Sequence, residues 1–217
     1  MEQGNLISKT IGFVKETLKN AEGGHDWRHI ERVHHNAKNI AETEDCDSFV
    51  VELAALLHDI ADPKFHNGDE EIGPSKAAEI LTSFCVDPSV IDHVVKIIRN
   101  MSFKASFGKV DFNSRELDVV QDADRLDAIG AIGIARAFSY GGYKGREFYN
   151  PEILPNLNMS KEEYKNTSAP TINHFYEKLL LLKGKMNTVT GKHLAEERHQ
   201  FMEKYLDQFY AEWEGVK

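Results

Sequence analysis

Cysteine is scarce in this 217-residue chain, which contains only Cys46 and Cys85 and no Cys-x-x-Cys spacing. Two isolated cysteines indicate free thiols in a reducing compartment rather than a disulfide framework. A closed structural zinc site is not expected either, because such sites draw heavily on cysteine ligands.

An excess of basic residues is also missing. The chain has 26 Lys and Arg residues against 35 Asp and Glu residues, which gives a formal net charge of -9. A general nucleic-acid or membrane-surface binder needs basic residues in excess to neutralise phosphates, so this charge argues against both classes. A local basic pocket for a small phosphate ester remains compatible with it.

Long apolar runs are absent from the sequence. No run approaches the roughly 18 residues that a membrane span needs. The first 19 residues have neither the apolar core nor the small-residue cleavage site of a secretory signal. We therefore expect a cytoplasmic protein.

Strand-like alternation of apolar and polar residues is missing too, whereas helical spacing recurs along the chain. We predict an all-α fold. The longest irregular segment is 141–169, which is rich in Gly, Pro and Asn, and long loops in compact domains are often functional.

One predicted helix, 47–61, is apolar on nearly every side yet carries His58 and Asp59 next to each other. A helix that is apolar all round is a buried helix, and an unpaired carboxylate is costly to bury. The two side chains must therefore be hydrogen-bonded or bound to a metal. Imidazole together with carboxylate suits a divalent transition metal.

Three other polar side chains lie on or beside apolar helix faces: His29, Asp122 and Asp124. Asp122 and Asp124 are about 200° apart around a helix, so they cannot both face one metal. Each candidate also has a structural explanation when taken alone. His29 fits a core or capping histidine, and Asp124 fits an ion pair with Arg125 or Arg136.

The ordered set His29, His58-Asp59 and Asp124 resembles the H…HD…D signature of the HD-domain metal-dependent phosphohydrolases. The surrounding segments resemble that family as well, and two of them are similar to its YedJ/YpgQ-like bacterial branch. The matching segments, which extend the resemblance over almost the whole chain, are 26–33, 54–60, 121–130, 137–142 and 174–179.

The resemblance implies an HD-domain helical bundle with an additional C-terminal helical region. Residues 1–140 would form the HD-domain core that carries the metal site. Residues 141–217 would supply a substrate-side loop and C-terminal helices, packed as part of the same unit.

The resemblance also implies that His29, His58, Asp59 and Asp124 bind a divalent metal. Asp124 is preferred to Asp122 because the run Ala-Asp-Arg-Leu at 123–126 matches the family's last motif. Two imidazoles and two carboxylates leave open positions on a six-coordinate metal, where a water and a phosphate oxygen fit.

The number of metals follows from the residues between the HD pair and the last Asp. Two-metal members of the family usually add histidines there. This chain has His66 and His93 in that stretch, but Asn100 where a further His would be expected. We therefore predict one metal, with Mn²⁺ as the first choice and Fe²⁺, Co²⁺, Ni²⁺ or Mg²⁺ as alternatives.

Two further groups of residues are expected around the metal. Related enzymes use an acidic residue one turn after the HD pair as a general acid or base, and cationic side chains stabilise phosphoryl groups. The alternative for each residue is a solvent-exposed charge or a local hydrogen bond. The expected catalytic residues are Asp62, Lys64 and His66. The expected substrate-binding residues are Arg28, Lys104, Lys144 and Arg146.

The resemblance implies hydrolysis of (deoxy)nucleoside triphosphates to monophosphate and pyrophosphate by a metal-activated water. One alternative is a 5′-nucleotidase or phosphodiesterase using the same site. Another is a regulatory protein that binds a nucleotide or metal without turnover. The expected partner is a small nucleotide or phosphate ester. A homodimer would use apolar residues such as Phe175, Leu179 and Leu182, unless these pack within the chain.

Overall fold

The computed structural model describes residues 2–19, 21, 26–61, 69–101, 112–160, 163 and 167–217. These residues form helices and connecting segments without a strand, which confirms the predicted all-α class. They group into two compact units that divide between Asp124 and Arg125. The sequence predicts a different boundary, at residue 140, between the core that carries the metal site and the substrate side. That functional division stays a prediction.

The described residues of the first unit form five complete helices and most of a sixth. Their bounds are α1 Gln3–Thr17, α2 Trp27–Ala41, α3 Ser48–Leu57, α4 Ile72–Ser83, α5 Pro88–Asn100 and α6 Arg115–Asp127.

Short polar side chains fix where α2, α3 and α6 begin. The Asp26 carboxylate accepts a hydrogen bond from the backbone N–H of His29, and Asp47 does the same for Phe49 and Val50. Ser114 Oγ accepts from the N–H of Leu117 at the start of α6. Such caps satisfy backbone donors that have no partner inside the helix.

Helix α3 lies at the centre of the first unit, where it packs against α1, α2 and α5. All of its residues are buried except Ser48 and Glu52, as its apolar sequence predicts. The predicted end at residue 61 is wrong, because α3 ends at Leu57 and 58–61 form a turn and a bend. The Ala55 carbonyl accepts a hydrogen bond from the His58 ring, a local bond that competes with helix continuation.

The described residues of the second unit form the remaining helical segments. They are α7 Gly130–Tyr143, α8 Asn173–Glu177, a 3₁₀ helix Leu179–Lys185 and α9 Val189–Trp213. Helix α9 packs against α7 and the 3₁₀ helix. The apolar spacing of 172–182 predicts a single helix, but Lys178 leaves the helical region with φ -144° and divides the segment.

Aromatic rings hold the second unit together. Phe175 is fully buried and stacks on Tyr205 with a centroid distance of 5.9 Å. Phe138 contacts both rings, and Phe209 lies against Phe138 and Tyr205. Such ring pairs add directional contacts to the burial of apolar area. Phe175 and Leu179 are therefore buried within the chain, and a homodimer stays a prediction.

The connection between α6 and α7 requires glycine at two positions. Gly130 has φ +73°, a conformation that residues with a Cβ rarely adopt. A Cβ at Gly133 would lie 2.3 Å from the carbonyl oxygen of Ala128. The tight turn therefore depends on both residues.

Candidate metal centre

His29 is placed by the first turn of α2. It is the third residue of the helix, and its own N–H is the donor to the Asp26 cap at 3.0 Å. The cap thus fixes the helix start and, with it, the direction of the His29 side chain. That side chain is only 3% exposed, so the imidazole points into the protein interior.

His58 and Asp59 follow α3 directly, in the turn that ends it. His58 Nδ1 lies 2.9 Å from the carbonyl oxygen of Ala55. A carbonyl only accepts, so Nδ1 carries the proton and Nε2 of the neutral ring keeps its lone pair. Metal-binding histidines are commonly oriented in this way.

The candidate ligand atoms converge. One donor atom each from His29, His58 and Asp59 lies within 4.8 Å of the other two. The two imidazole rings meet edge to face, with centroids 5.4 Å apart. Asp124 Oδ1 lies 3.5 Å from His29 Nε2 and 3.9 Å from His58 Nε2. Four residues separated by up to 95 positions therefore face one small volume.

Asp122 and Asp124 lie in different environments on α6. Asp124 is beside the two histidines and its side chain is 42% exposed, so solvent reaches this side of the cluster. Asp122 is fully buried. Asn36 Nδ2 on α2 donates to the carbonyl oxygen of Ala123 at 3.2 Å, which ties α6 to the helix that carries His29.

The cluster fits a divalent metal by the chemistry of its donors. Two imidazole nitrogens and two carboxylates form a mixed N/O set without a thiolate, typical of first-row divalent ions. Two ligands of one such ion are separated by at most about 4 Å, twice a typical bond length. The distances from Asp124 Oδ1 to the two imidazoles, 3.5 and 3.9 Å, fall within this limit, and the donor atoms of His29, His58 and Asp59 lie within 4.8 Å of one another.

Comparison with known proteins places the chain in a family. The family model described as HD domain matches residues 26–129. YpgQ of Bacillus subtilis, an uncharacterized protein, is 40% identical over 206 residues, which cover 94% of this chain and 92% of YpgQ. The chain belongs to the HD-domain family. The predicted YpgQ-like branch is thereby confirmed.

Solved structures of HD-domain relatives agree with this assignment. The crystal structure of an HD-superfamily hydrolase from Bacillus thuringiensis is 45% identical, with a TM-score of 0.80 and coverage of 99% of this chain and 100% of that one. The structure of B. subtilis YpgQ in complex with ADP has a TM-score of 0.76 at 38% identity, covering 98% and 97% of the two chains. This HD-domain protein is a metal-dependent phosphohydrolase.

Several predicted residues lie outside the described part of this HD-domain protein: Asp62, Lys64, His66 and Lys104. Their catalytic and substrate-binding roles stay predictions. Arg28 is described: its side chain is 71% exposed and its Nη1 donates to Glu31 at 2.8 Å. A substrate contact by Arg28 would compete with this ion pair, and it also stays a prediction.

Lys144 and Arg146 lie in the second unit, where positive charge is concentrated beside Tyr140. Lys144 Nζ is 5.7 Å from the centre of the Tyr140 ring and Arg146 Cζ is 5.5 Å from it. The pKa of His174 is lowered to about 4, mainly by burial and further by the charges of Lys178 and Arg146. A substrate role for Lys144 and Arg146 stays a prediction.

His93, a candidate for a second metal, has other neighbours. Its Nε2 lies 3.0 Å from Ser114 Oγ and 3.4 Å from Glu116 Oε2. Glu116 Oε1 in turn accepts from the backbone N–H of Asp47. His93 therefore connects α5 to the start of α6, and the number of metals stays a prediction.

Sequence reasoning missed the residues that join the helices from which the candidate ligands come. Asn36 and the pair His34 and Glu52 are examples: His34 Nε2 lies 2.8 Å from Glu52 Oε2 and joins α2 to α3. Burial lowers the pKa of His34, and the Glu52 carboxylate opposes that shift. In the sequence, the only sign of such a residue is a polar side chain within an apolar helix face. Glu52, which interrupts the apolar run of α3, is the clearest example.

The described helices include none with the length and apolarity that a membrane crossing requires.

Proposed function

We propose that this HD-domain phosphohydrolase converts nucleoside triphosphates, including deoxynucleoside triphosphates, to the monophosphate and pyrophosphate. In this proposal His29, His58, Asp59 and Asp124 hold one divalent metal, with Mn²⁺ as the first choice. The observation that carries the proposal is the convergence of Asp124 Oδ1 with the Nε2 atoms of His29 and His58. The crystal structure of the relative YpgQ in complex with ADP supports a nucleotide as the substrate class.

A bound divalent metal lowers the pKa of a coordinated water and offsets the negative charge of the phosphate. The chain's own residues prepare the site for it. The Ala55 carbonyl holds His58 as the tautomer that leaves Nε2 free, and burial keeps His29 in one direction. Asp124 is the ligand on the solvent side, where a phosphate would enter.

The test is release of phosphate and pyrophosphate from a panel of ribo- and deoxyribonucleotides with added Mn²⁺. Wild type is compared with Asp59→Ala and Asp124→Asn. Asp92→Asn is the matched control, because this carboxylate is exposed and pairs with Lys96 on α5. We expect pyrophosphate from triphosphates in wild type and in the control, and at least a hundredfold less in the two site variants.

Other products would change the assignment. Orthophosphate from monophosphates would replace the proposal with a 5′-nucleotidase, and cleavage of diesters alone would replace it with a phosphodiesterase. Tight Mn²⁺ binding without release from any substrate would support a regulatory protein. Full activity in Asp124→Asn together with loss in Asp122→Asn would transfer the fourth ligand position to Asp122.

A further inference from the structure

The last residue of α6 carries a buried charge. Asp127 is 1% exposed, and its carboxylate forms an ion pair with Nη1 of Arg136 on α7. The same Nη1 lies 3.3 Å from the backbone carbonyl oxygen of Asp127. A buried carboxylate is tolerated only with a well-placed cationic partner. Arg136 therefore fixes both the side chain and the backbone of the helix end.

A second arginine reaches the same helix end from α9. Nη1 of Arg198 donates to the carbonyl oxygen of Leu126 at 2.5 Å. Burial lowers the pKa of the Arg198 guanidinium, and the charge of Asp127 opposes that shift. The aliphatic stem lies against Gly130, where a Cβ would be 3.0 Å from Arg198 Cγ. A cation at the carbonyl end of a helix also interacts favourably with the helix dipole.

These contacts act on the turn that contains Asp124. Asp124 is three residues before Asp127, and residues three apart in a helix are neighbours on its surface. The last turn of a helix frays unless its carbonyls find partners. Fraying would move the Asp124 carboxylate away from His29 Nε2, which is 3.5 Å from it.

We propose that Arg198 and Arg136 are positioning residues for Asp124, which hold the last turn of α6 through the Leu126 carbonyl and the Asp127 carboxylate. This inference rests on the proposed role of Asp124 as a metal ligand. It assigns to residues of the second unit a share in metal affinity, although they are not themselves ligands.

The test is the affinity of the purified, metal-free protein for Mn²⁺, measured by calorimetry well below the unfolding temperature. Arg198→Met keeps the stem against Gly130 and removes the charge, whereas Arg198→Lys keeps the charge. We expect Arg198→Met to raise the Kd for Mn²⁺ about tenfold, in the range found when partners of metal ligands are replaced. Arg198→Lys should recover part of this loss.

If Arg198 had a purely structural role, excess Mn²⁺ would not restore the hydrolysis rate of Arg198→Met. In the proposed role, excess Mn²⁺ restores the hydrolysis rate of Arg198→Met, because the defect is in metal occupancy. Arg115→Met is the matched control, since Arg115 pairs with Glu44 at the opposite end of α6. It should leave the Kd for Mn²⁺ unchanged. An unchanged Kd in Arg198→Met, or equal changes in Arg198→Met and Arg115→Met, would overturn the inference.

Two further variants separate this inference from the proposed function. Asp124→Asn must itself raise the Kd for Mn²⁺; if it does not, the proposed ligand set fails. If Asp124→Asn raises the Kd and Arg198→Met does not, only the positioning role fails. Should Arg198→Met not fold, Asp127→Asn decides by the same criterion, because it removes the charge that Arg136 neutralises while keeping the shape.

Discussion

Replacing His174 by Gln should make the second unit less sensitive to acid. The imidazole is buried beside the cationic side chains of Lys178 and Arg146, and its pKa is lowered to about 4. In the unfolded chain a histidine has a pKa of about 6.5. Between these two values the unfolded state binds a proton that the folded state does not bind.

The sign of the effect follows from this difference. Because the unfolded chain binds more protons between pH 6.5 and about 4, the free energy of unfolding falls as the pH falls through that window. Above pH 6.5 neither state is protonated at His174 and the full stability is present. The loss reaches about 3 kcal/mol at the acid end, from roughly 1.4 kcal/mol per unit of pKa difference.

The assay is urea unfolding of metal-free protein at several pH values between 7.5 and 4.5. Trp27 and Trp213 are the two tryptophans of the chain, so a Trp27→Phe background leaves Trp213 as a probe of the second unit. His193→Gln is the control, because it removes a 74% exposed imidazole from the same unit. The pH dependence should become shallower in His174→Gln only. Parallel curves for wild type and His174→Gln would refute the reasoning.

Three smaller changes test the fold. Gly130→Ala should lower the free energy of unfolding by about 1–3 kcal/mol, because φ +73° is strained for alanine and its Cβ would press on Arg198. Asp47→Ala removes the cap of α3 and should cost about 1 kcal/mol. Glu71→Gln breaks an exposed pair with Arg99 and should cost less than about 1 kcal/mol. Urea unfolding at neutral pH measures all three, and a reversed order of the Glu71 and Gly130 effects would contradict the reasoning.

Helical periodicity predicted the fold class and the presence of α3, because burial of apolar side chains determines which segments become helices. Helix starts can be predicted from the sequence where a capping residue marks them, as Asp26, Asp47 and Asp87 do. Helix ends were predicted poorly where a tertiary or side-chain contact ends the helix. The early end of α3 involves the ring of His58, and the break at Lys178 has no composition signal such as Gly or Pro.

The identity of the metal-site candidates came from the sequence, but their arrangement did not. Residue types and motif order named His29, His58, Asp59 and Asp124, and the structure brings them together. Nothing in the sequence indicates that Asn36 bonds to the Ala123 carbonyl or that Arg198 bonds to the Leu126 carbonyl. Such bonds join backbone groups to distant side chains, and every residue has a carbonyl, so no residue pattern marks the acceptor.

The candidate ligands share a position at the ends of helices. His29 lies in the first turn of α2 behind the Asp26 cap, His58 in the turn that ends α3, and Asp124 in the last turn of α6. Helix ends are the parts of a helix that open most readily. A metal that binds only when these ends are formed must stabilise them by its binding free energy, because binding to the native state alone shifts the folding equilibrium. The caps and arginines at these ends therefore influence metal affinity and local stability together. A substitution at one of them should change both the affinity for the metal and the stability of the helix end.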